Sequence, residues 1–136
     1  MTGAAITLAE HHRHCEALFA EAADAASAGD WKRILARLGA LREALLMHFR
    51  YEEERIFPLY EQASGQEGAT ESLCAQHDDL RAALWTLATY STAADLQPFR
   101  AELAELRTAF DAHAADEERR MYPVFERMLA AGLLRP

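Results

Sequence analysis

Apolar residues recur at three- and four-residue intervals in four stretches, and each stretch reads as one face of a helix. The first stripe carries Leu8, Cys15, Phe19, Ala22 and Ala26; the second carries Ile34, Leu38, Leu41, Leu45, Ile56 and Leu59. The third carries Leu73, Leu80, Leu84 and Leu87, and the fourth Phe99, Leu103, Leu106, Phe110, Met121 and Val124. The spacing predicts helices over about 7–27, 30–63, 70–91 and 95–131. Gly29-Asp30 stops the first helix and caps the second, residues 64–68 form the central turn, and Gly132 follows the last helix. Pro58 and Pro123 fall late in the two long helices, where each should bend its helix or begin its last turn. No alternating strand pattern competes.

The stripes are apolar except at six places. His12 interrupts the first, His48 and Glu52 the second, His77 the third, and His113 and Glu117 the fourth. These interruptions belong to a repeat with an offset of 65 residues, which also matches Glu53 with Glu118, Arg55 with Arg120, Pro58 with Pro123, and Phe57 with Tyr122. Two similar halves, about 1–65 and 66–136, suggest two helical hairpins packed about a pseudo-twofold axis. The fold class expected is all-α: an up-down-up-down four-helix bundle with an internal twofold repeat, forming one domain over 1–136.

Composition narrows the partners. The 136 residues include 22 acidic and 14 basic ones, a formal charge of -8. Such a surface repels phosphate backbones and anionic membranes, so neither is an expected partner. No apolar run approaches the span of a bilayer, and the chain reaches Glu10, His11 and His12 before any stretch of signal-peptide length. The expected compartment is the cytoplasm. Any sensor role would then need a separate protein partner, whose nature the sequence leaves unknown.

Helix rise places the six polar residues at one depth. His12 lies about 17 residues before the first turn and His48 about 18 after it; His77 and His113 flank the third turn at about 16 and 19 residues. The spacing His-x-x-x-Glu puts both groups of each pair on one face, a turn apart. Four imidazoles and two carboxylates left unpaired in a core would cost several kcal/mol. Two metal ions would remove that cost. Imidazole and carboxylate suit iron, manganese or zinc, and the lack of a cysteine cluster argues against an iron–sulfur centre. With two His on each metal, both Glu bridging and a bridging oxide or hydroxide, one position per metal stays free for a small ligand.

His12, His48-x-x-x-Glu52, His77 and His113-x-x-x-Glu117 together resemble the hemerythrin-like family, also called the HHE cation-binding domain. The phrases running from Glu52 to Pro58 and from Glu117 to Pro123 are similar to those of bacterial members, and the match covers nearly the whole chain. The resemblance implies a hemerythrin-like bundle with a non-haem centre of two iron ions, oxo- or hydroxo-bridged, held by His12, His48, Glu52, His77, His113 and Glu117. It implies dioxygen, nitric oxide or peroxide as the small ligand, in binding, sensing or stress response. A di-iron enzyme (peroxide disproportionation or ferrous iron oxidation), an iron donor for damaged iron centres, and a metal-free interaction bundle stand as alternatives. The chain departs from oxygen-carrying members at Arg81, where they have a further His, and at Glu117, where they have Asp one residue later. Its ligand set is more symmetric, closer to the iron-centre-repair and general HHE branches. Repair proteins of that type usually carry an extra N-terminal segment with cysteine, which is expected to be absent here.

Other polar residues read more plainly. His11 and His14 point off the stripe and are expected at the surface. Glu53 and Glu118 sit about 100° round the helix from Glu52 and Glu117, where solvated charge is favoured over support for a histidine N–H or a role as substitute metal ligand. Arg55 and Arg120 are expected to pair with acids on neighbouring helices. Cys15 and Cys74 should differ in depth by about 9 Å, beyond disulfide reach, and so remain free thiols.

Overall fold

The computed structural model describes residues 3–133, with side chains from residue 7 onward. Helix α1 (Gly3–Ala28) stops where Gly29 takes a left-handed φ of 72°, a conformation in which a Cβ would be strained. Asp30 then accepts a hydrogen bond from Arg33 N–H and caps α2 (Trp31–Tyr51). From the last helix, Arg100 donates to the carbonyls of Ala26 and Ser27 and so satisfies the exposed end of α1.

Helix α2 runs without a break into a π turn (Glu52–Ile56) and then α3 (Phe57–Ser64), which ends at left-handed Gly65. The next helix, α4 (Glu71–Leu87), is preceded by Thr70, whose N–H and hydroxyl both donate to Glu61 and hold the central turn. It ends four residues before the expected position 91. A capping box between Thr92 and Asp95 closes a 3-10 turn (Ala93–Asp95), which feeds α5 (Leu96–Ala130). No strand occurs among the described residues.

The four rods form an all-α bundle. Helix α1 packs on α2 and α5, and α4 packs on α5 and α2, so chain neighbours are antiparallel and close a ring. Every apolar stripe expected from the sequence faces inward except at one place. Leu59 is only half-buried, and Phe57 and Tyr60 are buried beside Ile56 instead. The π turn explains this: Phe57 N–H reaches back five residues to the Glu52 carbonyl, and the extra residue rotates the rest of the helix. Pro123, at the same offset, leaves α5 unbroken, and there Met121 and Val124 stay inward as expected.

The core divides in two. A large cluster runs from Cys15 through Leu45 and Leu84 to Phe110, and a small one joins Leu8, Ile56, Phe57, Tyr60, Leu73, Met121, Val124 and Phe125. Cys15 lies in the first and Cys74 packs against the second, and both are free thiols. Between the clusters lies a polar layer.

Candidate metal centre

All six residues singled out by the stripes meet in that layer. His12 comes from α1, His48 from the end of α2, Glu52 from the first position of the π turn, His77 from α4, and His113 and Glu117 from α5. None is more than 2 % exposed. They form two overlapping groups, His12-His48-Glu52-Glu117 and His77-His113-Glu52-Glu117, each with ligand atoms within 4.8 Å of one another. Both carboxylates belong to both groups.

The inward contacts are short. Glu52 Oε1 lies 3.0 Å from His48 Nε2 and 3.0 Å from His77 Nε2, while Glu117 Oε1 lies 3.1 Å from His12 Nε2 and 3.0 Å from His113 Nε2. The Nε2 atoms of His77 and His113 face each other at 3.0 Å.

The outer ring nitrogens are occupied as well. His12 Nδ1–H donates to Glu118 Oε1 at 3.0 Å, His77 Nδ1–H to Glu53 Oε2 at 2.6 Å, and His113 Nδ1–H to Gln76 Oε1 at 2.6 Å. His48 Nδ1 meets His11 Nδ1 at 3.3 Å. Carboxylate and amide oxygens only accept, so they draw the imidazole proton outward and leave the Nε2 lone pair facing in.

A family model described as the hemerythrin HHE cation-binding domain matches residues 4–130. The chain belongs to that family. No curated protein and no solved structure matches it significantly.

The electrostatics of this HHE chain fit a cation in the layer. Burial lowers the pKa of His48 and His113, which keeps them neutral. Burial alone would raise Glu52, yet the facing nitrogens of His113, His48 and His77 outweigh it and hold this carboxyl well below its ordinary value. Those nitrogens serve Glu52 as donors only while they keep a proton on the inner side. With the proton turned outward to Glu118, Glu53 and Gln76, the lone pairs of His12, His77 and His113 face inward instead, and Glu52 Oε2 and Glu117 Oε2 have no hydrogen-bond partner. Acceptors opposed at 3 Å are repulsive without a cation between them, and imidazole with carboxylate is a donor set that suits iron, manganese or zinc.

Three expectations are corrected. Glu53 and Glu118 are not solvated edge charges: each reaches past its own helix to the outer nitrogen of a histidine on a neighbouring one. His11 is half-buried against His48 rather than at the surface, whereas His14 is exposed. Arg120 binds the Ala69 carbonyl and Ser72 Oγ across the bundle, and it pairs with Asp116 on its own helix rather than with an acid on a neighbouring one.

Gln76 was not anticipated, although a signal existed. It stands 65 residues after His11, and both occupy the position before a stripe histidine. The outer partners thus repeat with the same offset as the inner six: Glu53 with Glu118, and His11 with Gln76.

Around the layer, the phenyl rings of Phe49 and Phe57 stack on His77 at 4.3 Å and 5.3 Å between centroids. Phe110 meets His12 and His48 edge-on. Burial pushes the Cys15 thiol up to about 12, so it is a packing residue rather than a reactive one.

Proposed function

We propose that this chain holds two iron ions and uses them to bind a small ligand: dioxygen, nitric oxide or peroxide. The observation that carries the reading is the pair of overlapping His2Glu2 groups with both carboxylates in common. His12 and His48 would hold one ion, His77 and His113 the other, and Glu52 and Glu117 would serve both. When bound, the iron pair supplies an open coordination position and reversible one-electron chemistry.

The protein residues do the rest. Glu53, Glu118 and Gln76 fix the tautomer of three ligands and keep their Nε2 atoms aimed inward. Phe49, Phe57 and Phe110 surround the imidazoles with apolar surface and exclude water from the layer. Two carboxylates among six ligands bring less negative charge than the Glu-rich di-iron sites of ferritin-like bundles, which favours binding or sensing over forceful oxidation. No helix among the described residues is long and apolar enough to cross a membrane. Free Cys15 and Cys74 fit a reducing compartment, and the cytoplasm is part of this reading.

The test is metal analysis of anaerobically purified protein, followed by visible spectra on adding air, nitric oxide and hydrogen peroxide. Two irons per chain and a ligand-dependent band are expected. Protein that cannot be loaded with two irons per chain overturns the reading. Sustained oxygen evolution from peroxide would instead make the chain a disproportionating enzyme.

A further inference from the structure

The twofold repeat of the inner six is faithful, but the repeat of their supports is not. The position before the stripe histidine is His11 in one half and Gln76 in the other. Gln76 Oε1 accepts from His113 at 2.6 Å, whereas His11 offers His48 a ring nitrogen at 3.3 Å, the longest of the four outer contacts. A ring nitrogen has one lone pair in a fixed direction, while an amide oxygen has two and a broad range of approach.

A second break points the same way. Glu53, which supports His77, is itself gripped by Arg81 Nη2 at 3.0 Å and 2.8 Å, and the Arg81 guanidinium also lies over the Phe49 ring. The residue 65 positions before Arg81 is Glu16, which has no such grip to give Glu118. The π turn adds a third difference. It brings Phe57 onto His77, while its counterpart Tyr122 stays half-buried.

Both sides can be reached from outside, so access does not set them apart. A cavity of about 280 Å³ between α1 and α2 is lined by His11, His14, Cys15, Met47, His48 and Tyr51. A larger open groove of about 550 Å³ touches Gln76 and His113, so the difference lies in the outer hydrogen bonds, 3.3 Å to His48 against 2.6 Å to His113.

We propose that the two metal positions are unequal: the ion on His77 and His113 is firmly caged, the ion on His12 and His48 is the exchangeable one, and His11 against Gln76 sets the difference. This rests on the dinuclear reading above. His11 is a positioning residue, acting on the ion through His48.

The test is iron release from the loaded protein to a chromogenic chelator, with circular dichroism confirming the fold of each variant. Wild-type protein is expected to lose one iron fast and one slowly. His11→Gln makes the two halves alike and should slow the fast phase about tenfold, and Gln76→His should speed the slow phase by a similar factor. His14→Ala, on the same cavity, should leave both phases unchanged. Release of both irons in one phase, or a His11→Gln effect on the slow ion, overturns this inference and leaves the dinuclear reading standing. Wild-type protein that loads fewer than two irons overturns that reading, and this inference with it.

Discussion

The histidines of the polar layer use their two nitrogens for different jobs. In His12, His77 and His113 the outer one donates its proton to Glu118, Glu53 or Gln76, and the inner one faces Glu52 or Glu117. Glu118→Gln keeps an acceptor but removes the charge that strengthens His12, so metal affinity should fall about ten- to a hundredfold in a competition titration while the fold is kept. Protonation opposes the same arrangement. His48 and His113 titrate below the ordinary imidazole value of 6.5 because they are buried. As pH falls through that value, the unfolded chain takes up protons that the folded one refuses, so stability drops with pH. Glu52, held low, extends the loss in the same direction below its ordinary 4.5. Thermal midpoints of metal-free protein should therefore decline from about pH 8 to pH 5, and a midpoint that rises toward acid would contradict this account.

Helix ends and the π turn decide how the elements present these residues. Asp30→Ala removes the cap of α2 and should cost about 1 kcal/mol in urea unfolding. Phe57→Ala is a larger test, because this side chain is buried and stacked on His77. It should cost about 3–5 kcal/mol, and the same change at half-buried Tyr122 should cost clearly less. The four helices, their caps at Gly29-Asp30 and their apolar faces were legible in the sequence, because periodicity and capping are local properties. The π turn was not. Pro58 and Pro123 occupy the same repeat position, so any local rule treats them alike, yet only the first half widens. What separates them is what lies opposite: Phe57 is buried whole and stacks on His77, while Tyr122 stays half-buried with its hydroxyl enclosed and unpaired.

For the molecule as a whole, the polar layer lies between the two apolar clusters. On the proposed dinuclear reading, metal binding and fold stability are linked. With free iron at a hundredfold its dissociation constant, binding should add about 2.7 kcal/mol, a rise on the order of 10 °C in melting temperature. A chelator should abolish the rise, and so should His48→Ala. If that variant melted as the loaded protein does, the layer would be a structural network with no need of a cation.

The sequence alone determined which six side chains share a depth, since stripe position and helix rise follow from residue count. It also determined that two halves contribute equally, since the offset of 65 is written in the residues. Only the tertiary structure decided how the six divide into two groups, and which neighbours hold them. Those outcomes depend on side chains from different helices meeting across the bundle, as Glu53 meets His77 and His11 meets His48, and no local pattern records which partner stands opposite.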